Sequence, residues 1–413
     1  MSVDPKWLDA QFKALVEFAA NSAVDSGFGY LGRDGIVDRN RPVELWITCR
    51  MTHVMCLGYL RGMEECRPLA EHGLRSLLGP FYDSEYGGWF SAIGHGSRAA
   101  EEAIAGTYGE PRKEAYAHAF VLLAATSLAA ARIDGAEQLV RLATECQNER
   151  WWDEDAGKVR ESFDRTFTIS EDYRGINANM HTVEAYLAAA DVLGDETWRE
   201  RATRIVDFAF GQAKQGGWRI AEHFSADWRM LADYNRDDPA HPFRPYGVTP
   251  GHGFEWARLG AQLAVSRGDR PDLIDAAREL FSVAAREGWN RDGKLGFVYT
   301  TDYDGRPIVT ARMHWVACEA LAAANVLGRI AASDDEATAD YESLQDRWWS
   351  YVREVVIASP GRWNHEVDGD GVPQTKTWPG MPDVYHAAQC VLMPRIPVVP
   401  VFAAAVAEGH GRL

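Results

Sequence analysis

Two stretches far apart in the chain read almost alike: Ala185-Tyr186-Leu187-Ala188-Ala189-Ala190-Asp191-Val192-Leu193-Gly194 and Ala320-Leu321-Ala322-Ala323-Ala324-Asn325-Val326-Leu327-Gly328. Each is an apolar run rich in strong helix formers, and each closes on a glycine suited to cap a helix C-terminus. A histidine stands ahead of each, His181 and His314. Working outward, His53, His118, His252 and His386 also sit at or near the start of Ala/Leu-rich runs, so the six recur every 62 to 72 residues. Between them lie more charged segments such as 196–213 and 340–357, with apolar residues at helical spacing. One repeat is therefore an apolar helix followed by an amphipathic one.

Six such repeats use nearly all of the 413 residues. The closed solution is a ring of six apolar helices sheathed by six amphipathic ones, an all-α (α/α)6 barrel forming a single domain over residues 1–413. Its apolar helices run the same way, which places all six histidines at one end. Tryptophans that follow the amphipathic segments, Trp89, Trp152, Trp218, Trp289 and Trp363, are expected to line the same mouth. Alternation around tight turns predicts short β-hairpins there at 296–312, about Asp304-Gly305, and at 363–378, about Asp368-Gly369-Asp370-Gly371.

Composition narrows the function. With 46% hydrophobic and 11% aromatic residues the chain can bury a large core, and its formal charge of −17 opposes binding to nucleic acid or to anionic membranes. Six cysteines lack any paired C-x-x-C spacing and fit reduced, buried thiols. Neither a signal-peptide pattern nor a run long enough to span a membrane is present, so a cytoplasmic protein is expected. Nothing in the sequence reads out an oligomeric state.

The chemistry concentrates in Thr249-Pro250-Gly251-His252-Gly253-Phe254-Glu255-Trp256. Thr249 can cap a helix that Pro250 opens, and His252 and Glu255 then share one face. The first-turn position lowers the imidazole pKa while Glu255 raises it and selects the tautomer, which together poise a neutral base. His386 follows a second proline-rich helix start, Trp378-Pro379-Gly380-Met381-Pro382-Asp383-Val384-Tyr385, and His181 has the amide neighbours Asn177 and Asn179. Trp46 and Arg50 lie one turn apart in Leu45-Trp46-Ile47-Thr48-Cys49-Arg50, where a buried arginine needs either an anionic partner or a ligand oxygen. The H-x-x-E spacing of His181/Glu184 and His252/Glu255 is compatible with a metal, but the further inward-facing carboxylates of such sites cannot be assembled, so no metal is expected. Phosphate-binding glycine loops, an EF-hand, a G-x-S-x-G elbow and a catalytic cysteine context are all absent, and no cofactor is expected. A pocket of imidazoles, tryptophans and one arginine suits a polyhydroxylated, uncharged ligand, and neutral imidazoles suit proton removal next to a carbonyl.

The motifs Leu45-Trp46-Ile47-Thr48-Cys49-Arg50, Asn177-Ala178-Asn179-Met180-His181, Pro250-Gly251-His252 with Glu255-Trp256, and Tyr385-His386 together resemble those of the N-acylglucosamine 2-epimerase superfamily. Within it they are most similar to the bacterial mannose isomerase and sulfoquinovose isomerase branch, along essentially the whole chain. The resemblance implies an (α/α)6 barrel and cofactor-independent interconversion of an aldose with its 2-ketose or 2-epimer. It implies His252 and His386 as the acid/base pair with Glu255 beside His252, and His181 and Arg50 as groups that bind the sugar and polarise its oxygens. Trp46, Tyr116, Asn177 and Trp315 match substrate-pocket positions. Pro242, His365 and Pro382 stand where the sulfoquinovose branch has an arginine and two glutamines near the sulfonate, which points to a neutral hexose. D-Mannose and D-fructose, with D-lyxose and D-xylulose beside them, are thus the expected monosaccharides. A mannose/glucose 2-epimerase, a glycoside-cleaving enzyme using Asp172, Glu222 or Glu366, and a non-catalytic binding protein stand as alternatives.

Overall fold

The computed structural model describes residues 3–331 and 335–413. Its helices are α1 (Pro5–Ala19), α2 (Leu45–Leu60), α3 (Arg67–Leu78), α4 (Ala99–Ile104), α5 (Ala115–Ala130), α6 (Ala136–Cys146), α7 (Ile176–Leu193), α8 (Glu196–Gln215), α9 (Pro250–Arg267), α10 (Pro271–Gly288), α11 (His314–Ile330), α12 (Asp335–Tyr351), α13 (Tyr385–Leu392) and α14 (Phe402–Ala407). They alternate in character as the repeat predicts. Helix α5 is buried on every side from Ala117 to Leu128, whereas α10 buries a stripe of Leu273, Ala277, Leu280, Phe281 and Ala284 and turns most of its charged residues outward, Glu287 excepted.

The chain divides into two compact units. The first comprises Val16–Ile205, Pro382–Tyr385 and Val401–Leu413. In it the apolar helices α2, α5 and α7 lie side by side, α3 covers α2, α6 covers α5, and the short α14 packs against all three apolar helices. The second comprises Val206–Met381, His386–Pro400 and the segment ending at Leu15. Here α9 packs between α10 and α11, and α12 covers α11.

Short antiparallel ladders fix the entrances to several apolar helices. Val43–Glu44 pairs with Ala92–Ile93 ahead of α2, Lys113–Glu114 with Ser162–Phe163 ahead of α5, and Arg312–Met313 with Glu366–Val367 ahead of α11. Thr300 and Thr301 pair with Val309 and Pro307 as the predicted first hairpin. The second expected hairpin, 363–378, is reduced to a single bridge between Val367 and Pro373, because its strands are taken by Arg312–Met313 and by Ile357–Ser359.

Other details also depart from expectation. Gly194 is the left-handed C-cap of α7 (φ 69°), but Gly328 lies inside α11, where a Cβ would sit 3.1 Å from that of Tyr341, and the helix runs on to Ile330. Thr249 is the N-cap of α9 by backbone conformation, yet its hydroxyl makes no capping bond. Three of the five tryptophans expected at a mouth are packing residues instead. Trp89 is fully buried and donates its indole N–H to the Leu77 carbonyl (2.7 Å), Trp363 is buried, and Trp289 packs among Phe297, Trp348 and Tyr351. That aromatic group continues to Phe254, fully buried against Phe281, Phe297 and Trp348 at 5.3–5.7 Å. Two residues along a helix is about half a turn, so Phe254 anchors α9 on the face opposite His252.

All six cysteines are buried thiols outside any disulfide. Two of the six histidines also belong to the core. His53 lies in the middle of α2 rather than at its start, with Nδ1 2.7 Å from the Ser127 hydroxyl. The His118 Nε2 accepts the Trp89 backbone N–H (3.0 Å) while its Nδ1–H donates to the Glu114 carbonyl (2.8 Å). Burial lowers the His53 imidazole to about 4 and that of His118 to about 3.

These depressed values have a consequence for stability. The unfolded chain takes up both protons near the ordinary 6.5, the folded chain only below about 4, so stability is retained above pH 6.5 and lost as pH falls toward 4. Thermal unfolding at a series of pH values should show the midpoint dropping across that window. His53→Gln, which keeps a polar group for Ser127, should show a slope shallower by about one proton; an unchanged slope would contradict the neutral, buried state of His53.

Candidate active site

In the second unit, Pro250 opens α9 and places His252 in its first turn. The Nδ1 of His252 lies 2.9 Å from both carboxylate oxygens of Glu222, which also accepts the Thr249 backbone N–H (3.4 Å). This differs from expectation: the carboxylate that fixes the His252 tautomer is Glu222, while Glu255, three residues on, has an oxygen 3.6 Å from the Arg258 guanidinium. Where Nδ1 donates its hydrogen to this carboxylate, Nε2 keeps the lone pair.

His386, the second residue of α13, repeats the arrangement. Its Nδ1 is 2.9 Å from Glu319 on α11. The other oxygen of Glu319 accepts from Arg258 Nε at 2.9 Å, so Arg258 joins Glu319 and Glu255 while also reaching Gln262 (3.3 Å). Arg258, Glu255 and Glu319 are each 1–2% exposed, a depth at which carboxylates persist only beside cations or strong donors. Trp315 links the two imidazoles. Its ring centroid is 5.2 Å from that of His252 and 5.7 Å from that of His386, tilted 35° and 36° from them. Glu255, Glu319 and His386 each present a ligand atom within 4.8 Å of the others, spacing that would suit a metal ion, but the guanidinium of Arg258 already supplies positive charge to both carboxylates. Nearby, the rings of His314 and His365 stack at 3.9 Å.

In the first unit, Arg50 has found the anionic partner its burial demands. Its Nη1 donates to Asp383 (3.3 Å) and its Nη2 to the Tyr116 hydroxyl (2.9 Å), while the guanidinium lies 4.4–5.1 Å from the ring centres of Phe120, Tyr385 and Trp46. His181 Nδ1 is 3.5 Å from Glu184, and its ring packs against Tyr116 (5.2 Å) and Phe120 (4.7 Å). Glu184 also accepts the Tyr385 hydroxyl. Asn177 and Asn179 separate clearly. Asn179 is spent on the Val159 backbone, whose N–H it accepts at 2.9 Å and whose carbonyl it donates to at 3.2 Å, whereas Asn177 keeps a buried side-chain oxygen without a hydrogen bond. Such an oxygen is an acceptor available to a ligand hydroxyl.

The expected residues thus gather as His252, Glu255, Trp315 and His386 in the second unit and Trp46, Arg50, Tyr116 and His181 in the first. Glu319, Arg258 and Asp383 were missed, and Glu222 was considered only as a glycosidase acid. Their one sequence signal was a charged residue inside or beside an Ala/Leu-rich helix start, a place charges rarely occupy unpaired.

The model of the family described as N-acylglucosamine 2-epimerase (GlcNAc 2-epimerase) matches residues 27–390. A D-mannose isomerase of Thermobifida fusca is 46% identical over 406 residues, covering 97% of this chain and 96% of the relative. Among solved structures, a crystal structure of D-mannose isomerase matches with a TM-score of 0.81 at 24% identity, over 94% of this chain and 97% of that one. A cellobiose 2-epimerase from Bacillus thermoamylovorans B4167 matches at 0.77 and 19%, over 95% and 99%. The fold is that of an (α/α)6 barrel, as the helix repeat implied.

Gly251 is what lets Trp315 lie between the two imidazoles, because a Cβ there would come within 2.3–2.5 Å of the indole ring and 2.9 Å of Val316. Gly251→Ala should therefore displace Trp315 at a cost of about 1–3 kcal/mol. The check is the NMR spectrum of the His252 and His386 ring protons. Their ring-current shifts should diminish together, and unchanged shifts in a folded variant would show that the indole does not depend on Gly251.

Proposed function

Since the chain belongs to the N-acylglucosamine 2-epimerase family, we propose that it is a cofactor-independent aldose-ketose isomerase interconverting D-mannose and D-fructose. The observation that carries the reading is the matched pair of imidazoles, each holding Nδ1 on a buried carboxylate, joined to 46% identity with a D-mannose isomerase along nearly the whole chain. D-Lyxose, which repeats the C2–C4 configuration of mannose without its last carbon, pairs with D-xylulose in the same reaction.

The reaction needs only protons. One imidazole of the His252/His386 pair takes the proton from C2 of the open-chain aldose as O1 gains one, which leaves a cis-enediol. A proton delivered to C1, with loss of the one on O2, then gives the ketose, and no atom or electron enters from outside. Glu222 and Glu319 hold the two rings in the productive tautomer, and Glu255 acts through Arg258 on the Glu319–His386 pair. By the family resemblance, Arg50 and His181 bind the sugar and polarise its oxygens, with Trp46, Tyr116, Asn177 and Trp315 as further substrate contacts. Because a guanidinium occupies the charge position among the carboxylates, the reading requires no metal.

A second reading is favoured by one observation, the likeness to 2-epimerases in both the family model and the solved structures. Return of the proton to the opposite face of C2 would give glucose from mannose.

Incubation of the protein with D-mannose in D2O and EDTA, followed by NMR, separates these outcomes. Fructose is expected. Glucose without fructose would establish the epimerase, and loss of turnover with EDTA would overturn the metal-free reading. His252→Ala and His386→Ala should fold and lose at least about 10²-fold in kcat, the usual scale for removing a positioned acid or base.

A further inference from the structure

One feature close to the imidazole pair belongs to neither proton transfer nor the helices. Residues 226–246 run without helix between the strand His223–Ser225 and the start of α9. Despite lacking regular structure, this segment is firmly stitched. The His241 imidazole accepts the backbone N–H groups of Phe243 (3.2 Å) and Arg244 (3.0 Å), and the Asn235 amide donates to the Arg244 carbonyl (2.7 Å). His223 Nε2 lies 2.7 Å from the Pro245 carbonyl, and the Tyr246 N–H donates to that of Pro239. These bonds present Phe243 at the crest, 38% exposed, with its ring edge-on to Trp378 (5.6 Å, 87°).

The crest is tied to the catalytic pair by a short series of contacts. The Pro242 carbonyl, one residue from Phe243, accepts the Tyr299 hydroxyl (3.3 Å). The Tyr299 ring stands edge-on to Trp315 (6.3 Å, 88°), the indole that lies against both His252 and His386. From the other side, the Trp378 backbone N–H donates to Glu366 (3.1 Å), and the neighbouring His365 carbonyl accepts the N–H that opens α11, one residue before Trp315. Phe243 and Trp378 are thus anchored from two directions to the element carrying Trp315.

We infer that the Phe243–Trp378 pair is a specificity-determining wall, closing the space beside His252 and His386 so that an unsubstituted monosaccharide is admitted and an aldose bearing a second sugar is refused. The inference rests on the isomerase reading above and deepens it. Two observations support it. The same fold occurs in a protein named for mannose and in one named for cellobiose, so the shared helices do not by themselves decide the size of the sugar. And a hydrogen-bonded loop that sets an aromatic ring against a second aromatic ring, one linked to Trp315 through Tyr299 and the other to the start of α11 through the Glu366 strand, is a steric stop: fixed volume rejects a larger ligand more effectively than a mobile side chain, which would yield to it.

The test compares D-mannose with β-1,4-mannobiose, whose reducing unit is the same sugar with C1 and C2 free. The wild-type protein, Phe243→Ala, Trp378→Ala and the double variant are assayed for ketose formation by NMR, with melting temperatures to confirm folding. The readout is the ratio of kcat/KM for the two sugars, which a general loss of structure does not move in favour of the larger one. The wild type should prefer mannose by about a hundredfold or more, and at least one folded variant should shift the ratio toward mannobiose by about tenfold, the scale of a single pocket contact. Equal use of both sugars by the wild type would overturn the inference, as would an unmoved ratio in every folded variant. Failure of the isomerase reading is visible separately, since the wild type would then leave mannose itself unchanged.

Discussion

A carboxylate inside an apolar helix pair is the constraint around which the molecule is organised. Glu184, Glu255 and Glu319 stand on helices whose other residues are largely alanine, leucine and valine, and all three are almost wholly removed from water. Left alone, each would cost several kcal/mol. The chain meets that demand with Arg258 between two of them, with the Tyr385 hydroxyl on the third, and with the Nδ1–H groups of imidazoles. Neutralising the carboxylates and orienting the histidines are one event. A ring that gives its Nδ1 hydrogen inward, as proposed for His386 on Glu319 and for His252 on Glu222, has only Nε2 to offer outward.

Alignment of the bases with one another falls to Trp315. A single indole in contact with both rings holds them within a small range of tilt, and it lies there because residue 251 has no side chain. Behind this arrangement, Phe254 and its aromatic neighbours fix the roll of α9. The chemistry therefore sits on helices locked by packing, whereas the segment 226–246 that borders it is held by its own hydrogen bonds. On the proposed reading, proton transfer and choice of sugar fall to separate parts of the chain.

The helix repeat was legible because period and composition are local properties: an Ala/Leu run closing on glycine reads as a helix wherever it falls. The histidines were legible for the same reason, and His252, His386 and Trp315 do gather in one unit. What escaped were partnerships set by tertiary contact. His252 and Glu255 share a helix face at the right spacing, yet the His252 ring turns to Glu222, thirty residues earlier, because Arg258 holds Glu255. Likewise Asp383 pairs with Arg50 across more than three hundred residues, and no periodicity announces such a pair. The recurring tryptophans misled because Gly-Trp loop motifs look alike whether the indole faces a ligand or, as at Trp89, a backbone carbonyl in the core. His53 shows the complementary error, a histidine in register with the repeat whose ring is absorbed by Ser127.

The buried cysteines give the protein a further character. Only a thiolate attacks peroxide or a disulfide, and burial holds the thiols of Cys66 and Cys146 up at about 12 and lifts those of Cys49 and Cys56 well above their ordinary range. At neutral pH these groups are almost entirely in the unreactive form and also out of reach. Oxidants that govern thiol enzymes find little purchase on these four thiols, and with all six native cysteines buried, a cysteine introduced on the surface would be the accessible position for attaching a probe.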